Sequence, residues 1–483
     1  LLARRSIAED ERSAVRVEAI ASRERAAFSS WYELFPRSAS PDPSRPGTLA
    51  DVRARLAYVE ELGFDVVYLP PIHPIGETAR KGRDNTTPAG PDDVGSPWAI
   101  GSRHGGHTAV APELGTLADF DELVAEALRR NMEIALDLAF QASPDHPYVR
   151  QHEEWFHHRP DGSIACAENP PKRYDDIYPM DLHSPDREAL WQELLGIVLF
   201  WISHGVRIFR VDNPHTKPFA FWEWIICEVK REHPDVIFLS EAFTRPKIMH
   251  RLAKLGFDQS YTYFTWRDAK SEIEQYFEEL AHGPATSYFR PNVWPNTPDI
   301  LAKSLQAGGR PSFVSRLVLA AGLSANYGIY GPVFELMWDA PSAPGSEEYL
   351  GSEKYQLHHH DLEAQASLKD VIAKVNAARR AHPALRYDEG LRFRPVDNDQ
   401  LIAWTKVDPS RLDLVIGVVS LDWRWAQSGF VELDLSELGI FEGDAFEVRD
   451  VLVDETYIWH GGRNFVKLDP RLSPAHLLEL SSR

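Results

Sequence analysis

The sequence predicts an α/β protein, a (β/α)8 TIM barrel with long loop insertions followed by a C-terminal β-sandwich. Three observations carry that expectation. Short apolar runs alternate with amphipathic helices over about three hundred residues, a pattern of parallel strands joined by crossover helices. Two long segments, at about 73–107 and 141–186, interrupt the alternation after strand C-termini, where barrel enzymes build their sites. From about Leu391 the pattern changes to short strands separated by Asn, Asp and Gly. On alternation alone, a closed barrel and an open doubly wound sheet both satisfy the pattern. No Gly-x-Gly-x-x-Gly follows the first strands, which weakens a dinucleotide-binding reading.

The domains read in order as an N-terminal helical segment over 1–27, a catalytic barrel over 28–385 and a sandwich over 391–483. The opening segment is a charged helix from Glu9 to Arg25. Thr48-Leu49-Ala50-Asp51 then sets a capping residue three places before an acid. Val52, Leu56, Val59 and Leu62 follow at helical spacing, and Gly63 ends the helix. The strand Asp65–Pro70 comes next. The letters Gly-Thr-Leu-Ala-Asp return at Gly115 to Asp119 and open a second helix, with Phe120, Leu123, Val124, Ala127 and Leu128 on one face. Further strands are expected at Met132–Phe140, Val206–Val211 and Val236–Glu241, and a helix at Asp361–Arg380 closes the barrel. The sandwich strands read as Leu401–Val407, Leu412–Ser420 and Gly429–Leu435.

Composition narrows the function. The 483 residues carry 52 basic and 72 acidic side chains, a formal charge of −20, which argues against a nucleic-acid partner. An uncharged sugar polymer is compatible with that field; an anionic donor needs a local basic pocket. Cys166 and Cys227 are too few for a disulfide framework and suit a reducing compartment. No apolar run approaches the roughly eighteen residues of a membrane span. The start, Leu1 to Arg5, lacks an apolar signal core, so a cytoplasmic protein is expected. The aromatic cluster Trp201, Phe221, Trp222 and Trp224 has helical spacing and reads as core.

The chemistry begins at Ile208, Arg210 and Asp212, which share one face of a strand. An Arg beside a carboxylate keeps that carboxylate ionised and fixes its direction, as a nucleophile needs. Glu241 ends the next strand, so one βαβ step places two carboxylates on adjacent strand ends, about 4.8 Å apart in backbone spacing. That allows the roughly 5–5.5 Å carboxyl separation of a retaining glycosidase. A third acid, Asp299, falls where a later strand is expected to end.

Arg-x-Asp, then Glu, then Asp on successive strand ends resembles the α-amylase superfamily. Longer motifs narrow the resemblance: Lys81-Gly82-Arg83-Asp84-Asn85, Gln141 to Pro147, Arg210 to Pro218, Arg290 to Asp299 and Ala325 to Pro332. They resemble the α-1,4-glucan:maltose-1-phosphate maltosyltransferases of bacterial glycogen synthesis, from about Phe28 to the C-terminus. The resemblance implies the barrel, Asp212 as nucleophile, Glu241 as acid/base and Asp299 as transition-state stabiliser, with Arg210 orienting the nucleophile. It implies donor contacts from Lys81, Asn85, Gln141, Asp176, Asn213, Lys354 and Tyr355, and further ones from Asn169, Lys172 and Tyr174. Asn213 stands where typical amylases have Ala and offers a donor to a leaving phosphate. The implied partners are α-maltose 1-phosphate and α-1,4-glucan acceptors, with no cofactor.

The chain departs from that family at three points. Family members carry a further N-terminal β-domain, and this chain begins near the barrel, which leaves the family's homodimer open. Asp84 replaces an Asn, and its carboxylate is expected to face Lys81 or Arg83. His358 in His358-His359-His360 replaces a Trp. Three consecutive His cannot all face one ion in regular structure, so no metal is expected there. Two alternatives to a transferase stand beside it: an α-glucan hydrolase with water as acceptor, and a catalytically silent glucan-binding protein working through its sandwich.

Overall fold

The computed structural model describes residues 21–169, 172–441 and 443–480. Most of the expected helix from Glu9 to Arg25 lies outside them. Among the described residues, eight parallel strands close a barrel: β1 (Ser29–Glu33), β2 (Val66–Leu69), β3 (Glu133–Leu138), β4 (Ile208–Asp212), β5 (Ile237–Glu241), β6 (Gln259–Tyr261), β7 (Pro291–Val293) and β8 (Asn326–Tyr330). Each strand pairs with its neighbours in chain order, and β8 returns to β1, so the open-sheet alternative falls away.

The helices around the barrel are α1 (Leu49–Leu62), α2 (Leu117–Arg129), α3 (Arg187–Ser203), α4 (Phe219–Glu232), α5 (Pro246–Lys254), α6 (Lys270–His282), α7 (Lys303–Leu323) and α8 (Lys369–Ala381). The two repeated openings are reciprocal capping boxes. Thr48 and Thr116 each accept the backbone N–H of an Asp three residues on, and that Asp accepts the Thr backbone N–H at 2.8 Å. Gly63 ends α1 at φ 84°, a left-handed conformation that Gly adopts without a Cβ clash. Helix α8 begins at Lys369, later than the expected Asp361. Ser367 Oγ accepts the Lys369 backbone N–H at 3.2 Å, and residues 361–368 form turns.

Side chains two apart on each barrel strand alternate between the interior and the helix layer. Trp31, Val66, Tyr68, Ala135, Ile208, Ile237, Leu239, Tyr261 and Trp294 fill the interior. Gly328 on β8 makes room for one of them, because a Cβ there would stand 2.3 Å from the Trp294 ring. Outside the strands, Trp201, Phe221 and Trp222 are at most 1% exposed and pack as core, and Trp224 packs against them half-buried.

The remaining strands are β9 (Leu391–Arg394), β10 (Leu401–Val407), β11 (Leu414–Ser420), β12 (Gln427–Glu432), β13 (Ala445–Asp450), β14 (Glu455–His460), β15 (Arg463–Leu468) and β16 (Ala475–Leu480). They form a six-stranded antiparallel sheet in the order β9-β10-β11-β16-β13-β14, with the pair β12-β15 packed over it. Val431 and Val466 from the pair meet Leu401, Ile416 and Leu478 from the sheet in one buried cluster. Ser315 on α7 donates to the Ser420 carbonyl at 2.9 Å and ties this sandwich to the barrel.

The first long insertion is fastened to the second by a relay of buried histidines. His107 Nε2 lies 3.0 Å from the Ala139 carbonyl, so that nitrogen carries a proton and Nδ1 is an acceptor. His146 Nε2, 3.1 Å away, then donates to His107 Nδ1, and His146 Nδ1 accepts the Tyr148 backbone N–H. Every partner is satisfied only while both rings are neutral. Burial accordingly lowers His107 to about 4 and His146 to about 2. Unfolded histidines protonate near 6.5, so this contribution is fully present above about pH 6.5 and is lost as pH falls toward about 4, by about 1.4 kcal/mol per pH unit per ring. His107→Leu should therefore flatten the decline of Tm between those pH values, measured by thermal melts. An unchanged slope would show that other groups govern the acid limb.

Candidate active site

The C-terminal ends of β3, β4 and β5 bring three carboxylates onto one guanidinium. Arg210 Nη1 donates to Asp137 Oδ2 at 2.8 Å and to Asp212 Oδ1 at 2.9 Å, and its Nη2 meets Glu241 Oε1 at 3.0 Å. Asp212 and Glu241 are direct register partners across β4 and β5. Asp212 is 7% exposed and Glu241 6%, so both sit under the barrel mouth rather than in open solvent. Asp137 is held from the other side by the Tyr68 hydroxyl at 2.5 Å and the Trp98 indole N–H at 3.2 Å.

Asn213 follows β4 in a left-handed conformation, φ 41° and ψ 54°. That turn aims its backbone N–H at Glu241 Oε2, 3.3 Å away, and its side-chain amide at Asp212 Oδ1, 3.4 Å away. Burial is the largest influence on Glu241 and pushes its carboxyl up to about 8. The Asp212 and Asp299 charges add to that rise, and Arg210 and the Asn213 N–H oppose it. Glu241 is thus suited to hold a proton at neutral pH.

Asp299 does not end a barrel strand. Strand β7 stops at Val293, and Asp299 occupies the turn between the short antiparallel partners Asn296–Thr297 and Ile300–Leu301. Its carboxylate is ion-paired with the Lys354 ammonium. Burial acts against the Lys354 charge, and Asp299 together with Tyr355 and Tyr174 more than offsets it, so Lys354 is held cationic. Asn85, Asp299, Lys354 and Tyr355 line one small cleft with Asp84 and Ser352. Burial pushes the Tyr355 phenol up to about 12.

Lys81 is 5% exposed and donates to Thr87 Oγ1 at 3.2 Å. Asp176, on the second insertion, is buried with one carboxyl oxygen lacking a partner. Burial raises its carboxyl, while the charges of Lys81 and Lys354 pull it down. Gln141 is half-buried and donates to the Trp98 carbonyl at 3.2 Å. Tyr174 is half-buried on the strand Lys172–Tyr174, which pairs with Ala167–Asn169. The backbones of Asn169 and Lys172 are register partners there, and their side chains lie outside the described set.

Asp84 faces neither neighbour that the sequence suggested. Its Oδ1 accepts the Gly351 backbone N–H at 2.8 Å, bracing the loop that carries Lys354, and Arg83 pairs with Asp93 instead. His358 Nε2 meets the Gly351 carbonyl and His360 Nε2 meets Glu353 Oε1 at 3.0 Å, so two of the three consecutive His rings are spent on separate contacts. Among the described residues, one group could hold a metal by distance, His152, Glu154 and Asp186, whose ligand atoms lie within 4.8 Å of one another. His152 already stacks on Trp155, and Asp186 accepts the Trp155 indole N–H, so both are engaged. A larger cavity of about 250 Å³, lined by Arg37, His73, Arg80 and Leu357 among others, contains none of the clustered acids.

Sequence reading missed Asp137, Tyr68 and Trp98. The one legible signal was an Asp within the apolar run of β3.

The family model for the alpha amylase catalytic domain matches residues 33–187, and the model described as GLGE, C-terminal, matches 393–480. The α-1,4-glucan:maltose-1-phosphate maltosyltransferase of Methylacidiphilum infernorum is 54% identical over 95% of this chain and 69% of its own length. The protein of the same name from Chlorobaculum tepidum is 49% identical over 95% and 69%. Among solved structures, an alpha-amylase from Geobacillus thermoleovorans complexed with acarbose superposes with a TM-score of 0.72 at 17% identity, covering 95% of this chain and all of that one. An alpha-amylase from Lactobacillus plantarum gives 0.69 at 21%, with the same coverage. At those identities the structures establish the fold alone.

Proposed function

We infer that this chain, which belongs to the α-1,4-glucan:maltose-1-phosphate maltosyltransferase family, moves maltosyl units from α-maltose 1-phosphate to the non-reducing ends of α-1,4-glucans and releases phosphate. The observation that carries the mechanism is the Asp212–Glu241 register pair bridged by one guanidinium. Asp212 attacks the anomeric carbon as phosphate departs, and Glu241 gives its proton to the leaving oxygen. The product is a β-maltosyl enzyme. Glu241, now a base, takes the proton of the acceptor 4-hydroxyl, whose oxygen displaces Asp212 and restores the α-linkage. Arg210 holds and aims Asp212, and Asp299 faces the charge of the oxocarbenium-like transition state.

Lys81, Lys354 and the Asn213 amide are the groups suited to the phosphate, and Asn85, Gln141, Asp176, Tyr355, Asn169, Lys172 and Tyr174 complete the donor site in this reading. Such a cationic set favours a transferase over an α-glucan hydrolase, whose neutral substrate needs none. The acid cluster disfavours a silent binding protein. A cytoplasmic setting fits the two free cysteines, and among the described residues no helix is long and apolar enough to cross a membrane.

Incubation with maltose 1-phosphate and a short maltooligosaccharide should release one phosphate for each maltosyl unit added to the acceptor. Free maltose without elongation would establish the hydrolase instead. Lys81→Ala tests the donor assignment. A charge-assisted contact is worth about 1.5–3 kcal/mol, so kcat/KM for maltose 1-phosphate should fall by roughly ten- to a hundredfold. Maltosyl fluoride should lose less, since fluoride asks for no cationic clamp. Equal losses with both donors would mean that Lys81 supports the sugar or the loop.

A further inference from the structure

The loop after β8, residues 331–368, carries Lys354 and Tyr355 to the donor cleft with no helix or strand to hold them. Side chains from elsewhere must therefore fix its course. On one side of Lys354 stands Glu353, which is 1% exposed and tied to the barrel. Its carbonyl accepts Arg37 Nη2 at 2.6 Å, and its carboxylate meets His360 Nε2 at 3.0 Å and the Tyr330 hydroxyl from β8. On the other side, both backbone polar groups of Gly351 are taken by side chains. Asp84 Oδ1 accepts its N–H at 2.8 Å, and His358 Nε2 meets its carbonyl. A carbonyl only accepts, so that His358 nitrogen carries the proton. Gly351 has φ 65°, and a Cβ there would stand 3.0 Å from Gln356 Nε2, so a glycine suits this turn between two partners.

Asp84 reaches Gly351 from the first insertion, 267 residues away in the chain. It does so from a turn with two consecutive left-handed residues, Asp84 at φ 50° and Asn85 at φ 63°. That conformation costs free energy in L-residues, and less in Asp and Asn than in most. The same turn delivers Asn85 to the cleft that Asp299, Lys354 and Tyr355 line. One carboxylate thus joins the two arms of the donor site, and Lys354 in turn holds Asp299 by an ion pair.

The two ends of the Lys354 segment differ in exposure. The Glu353 contacts are buried, whereas the Asp84–Gly351 bond lies at the surface, where water competes for both groups. The surface end is therefore the one that opens first. We propose that Asp84, with His358 on the opposite side of Gly351, is a positioning residue for the donor: it fastens the Lys354–Tyr355 segment to the Asn85 turn and so sets the fraction of the protein ready to bind maltose 1-phosphate. The inference rests on the reading of Lys354 and Asn85 as donor contacts. Asp84 serves here as an acceptor through Oδ1, so an amide oxygen in the same place does the same work.

A fastening that acts on the unbound protein leaves a distinct kinetic mark. Opening withdraws part of the population before binding, so KM rises in proportion, while kcat holds because every bound complex is closed. Phosphate release from maltose 1-phosphate by the full chain gives both constants, with amide hydrogen exchange over residues 349–353 and thermal melts alongside. Asp84→Gly deletes the acceptor and keeps the left-handed turn accessible. It should raise KM by roughly tenfold, the lower end of what a hydrogen bond to a charged group is worth. The Gly351 amide should exchange faster, and kcat should stay within about twofold of wild type. Asp84→Asn retains Oδ1 and should keep KM and exchange near their wild-type values. His358→Ala should raise KM in the same direction, and the double variant should lose less than the product of the two, since both act through Gly351. If Asp84→Gly does not fold, His358→Ala decides the point. A KM unmoved in folded Asp84→Gly overturns the proposal, as does a KM raised equally in Asp84→Asn or an unchanged Gly351 exchange rate. Lys354→Ala separates the two levels of inference. A KM raised there and unmoved in Asp84→Gly leaves the donor site standing and the fastening overturned. A KM unmoved in Lys354→Ala means that the donor reading of Lys354 has failed, and the proposal falls with it.

Discussion

Asp212→Ala should reduce maltosyl transfer by at least about 10⁴-fold, the scale on which nucleophile removal acts, and leave the chain folded. The fold survives because Arg210 keeps two of its three partners, Asp137 at 2.8 Å and Glu241 at 3.0 Å, so no buried cation is orphaned. Among the described residues the carboxylate caps no backbone group, and its hydrogen-bond partners are Arg210 and the Asn213 amide. A kcat measurement paired with a melting curve checks both halves. Turnover within tenfold of wild type in a folded variant would remove Asp212 from the nucleophile's role.

Glu241→Ala should stop the reaction at its midpoint when the donor needs no acid. With maltose 1-phosphate the variant should lose about 10²–10⁴-fold, the usual worth of general acid–base assistance. With maltosyl fluoride the first displacement still runs, because fluoride leaves with little protonation. The second displacement lacks its base, so a maltosyl adduct should accumulate on Asp212 and be seen by mass spectrometry. Absence of that adduct, with fluoride released, would count against the division of labour between the two acids. In wild type, the carboxyl at about 8 implies that the phosphate-donor reaction weakens as pH rises through that value, since the acid form performs the first step.

How much of this was readable without coordinates depends on the residue. Asp212 and Glu241 were legible because one βαβ step fixes their adjacency, and the register pair bears out that spacing. The α1 and α2 openings were legible because a capping box is local chemistry. Asp299 was assigned to a strand end, yet it lies on a hairpin turn, since turn geometry after β7 leaves no periodic trace. Tyr68 was invisible for a different reason. Barrel strands are buried on both faces, so β2 shows no alternation that would mark its interior side. Asp84 was read as a neighbour-facing charge; its positive φ of 50° turns it toward Gly351, a contact 267 residues away in the chain.

The return of β8 to β1 gives the protein a clock. Ser29 Oγ donates to Asn326 across the seam at 2.7 Å, a contact spanning 297 residues, and Arg379 on α8 donates to the Ser29 carbonyl from farther still. Synthesis at about 5–20 residues per second puts roughly 15–60 s between the emergence of the two edges. For that interval β1 has one unpaired edge and an apolar face awaiting its last neighbour. The nascent chain must stay soluble with its barrel unclosed, and the closing seam, having the longest separation, forms late.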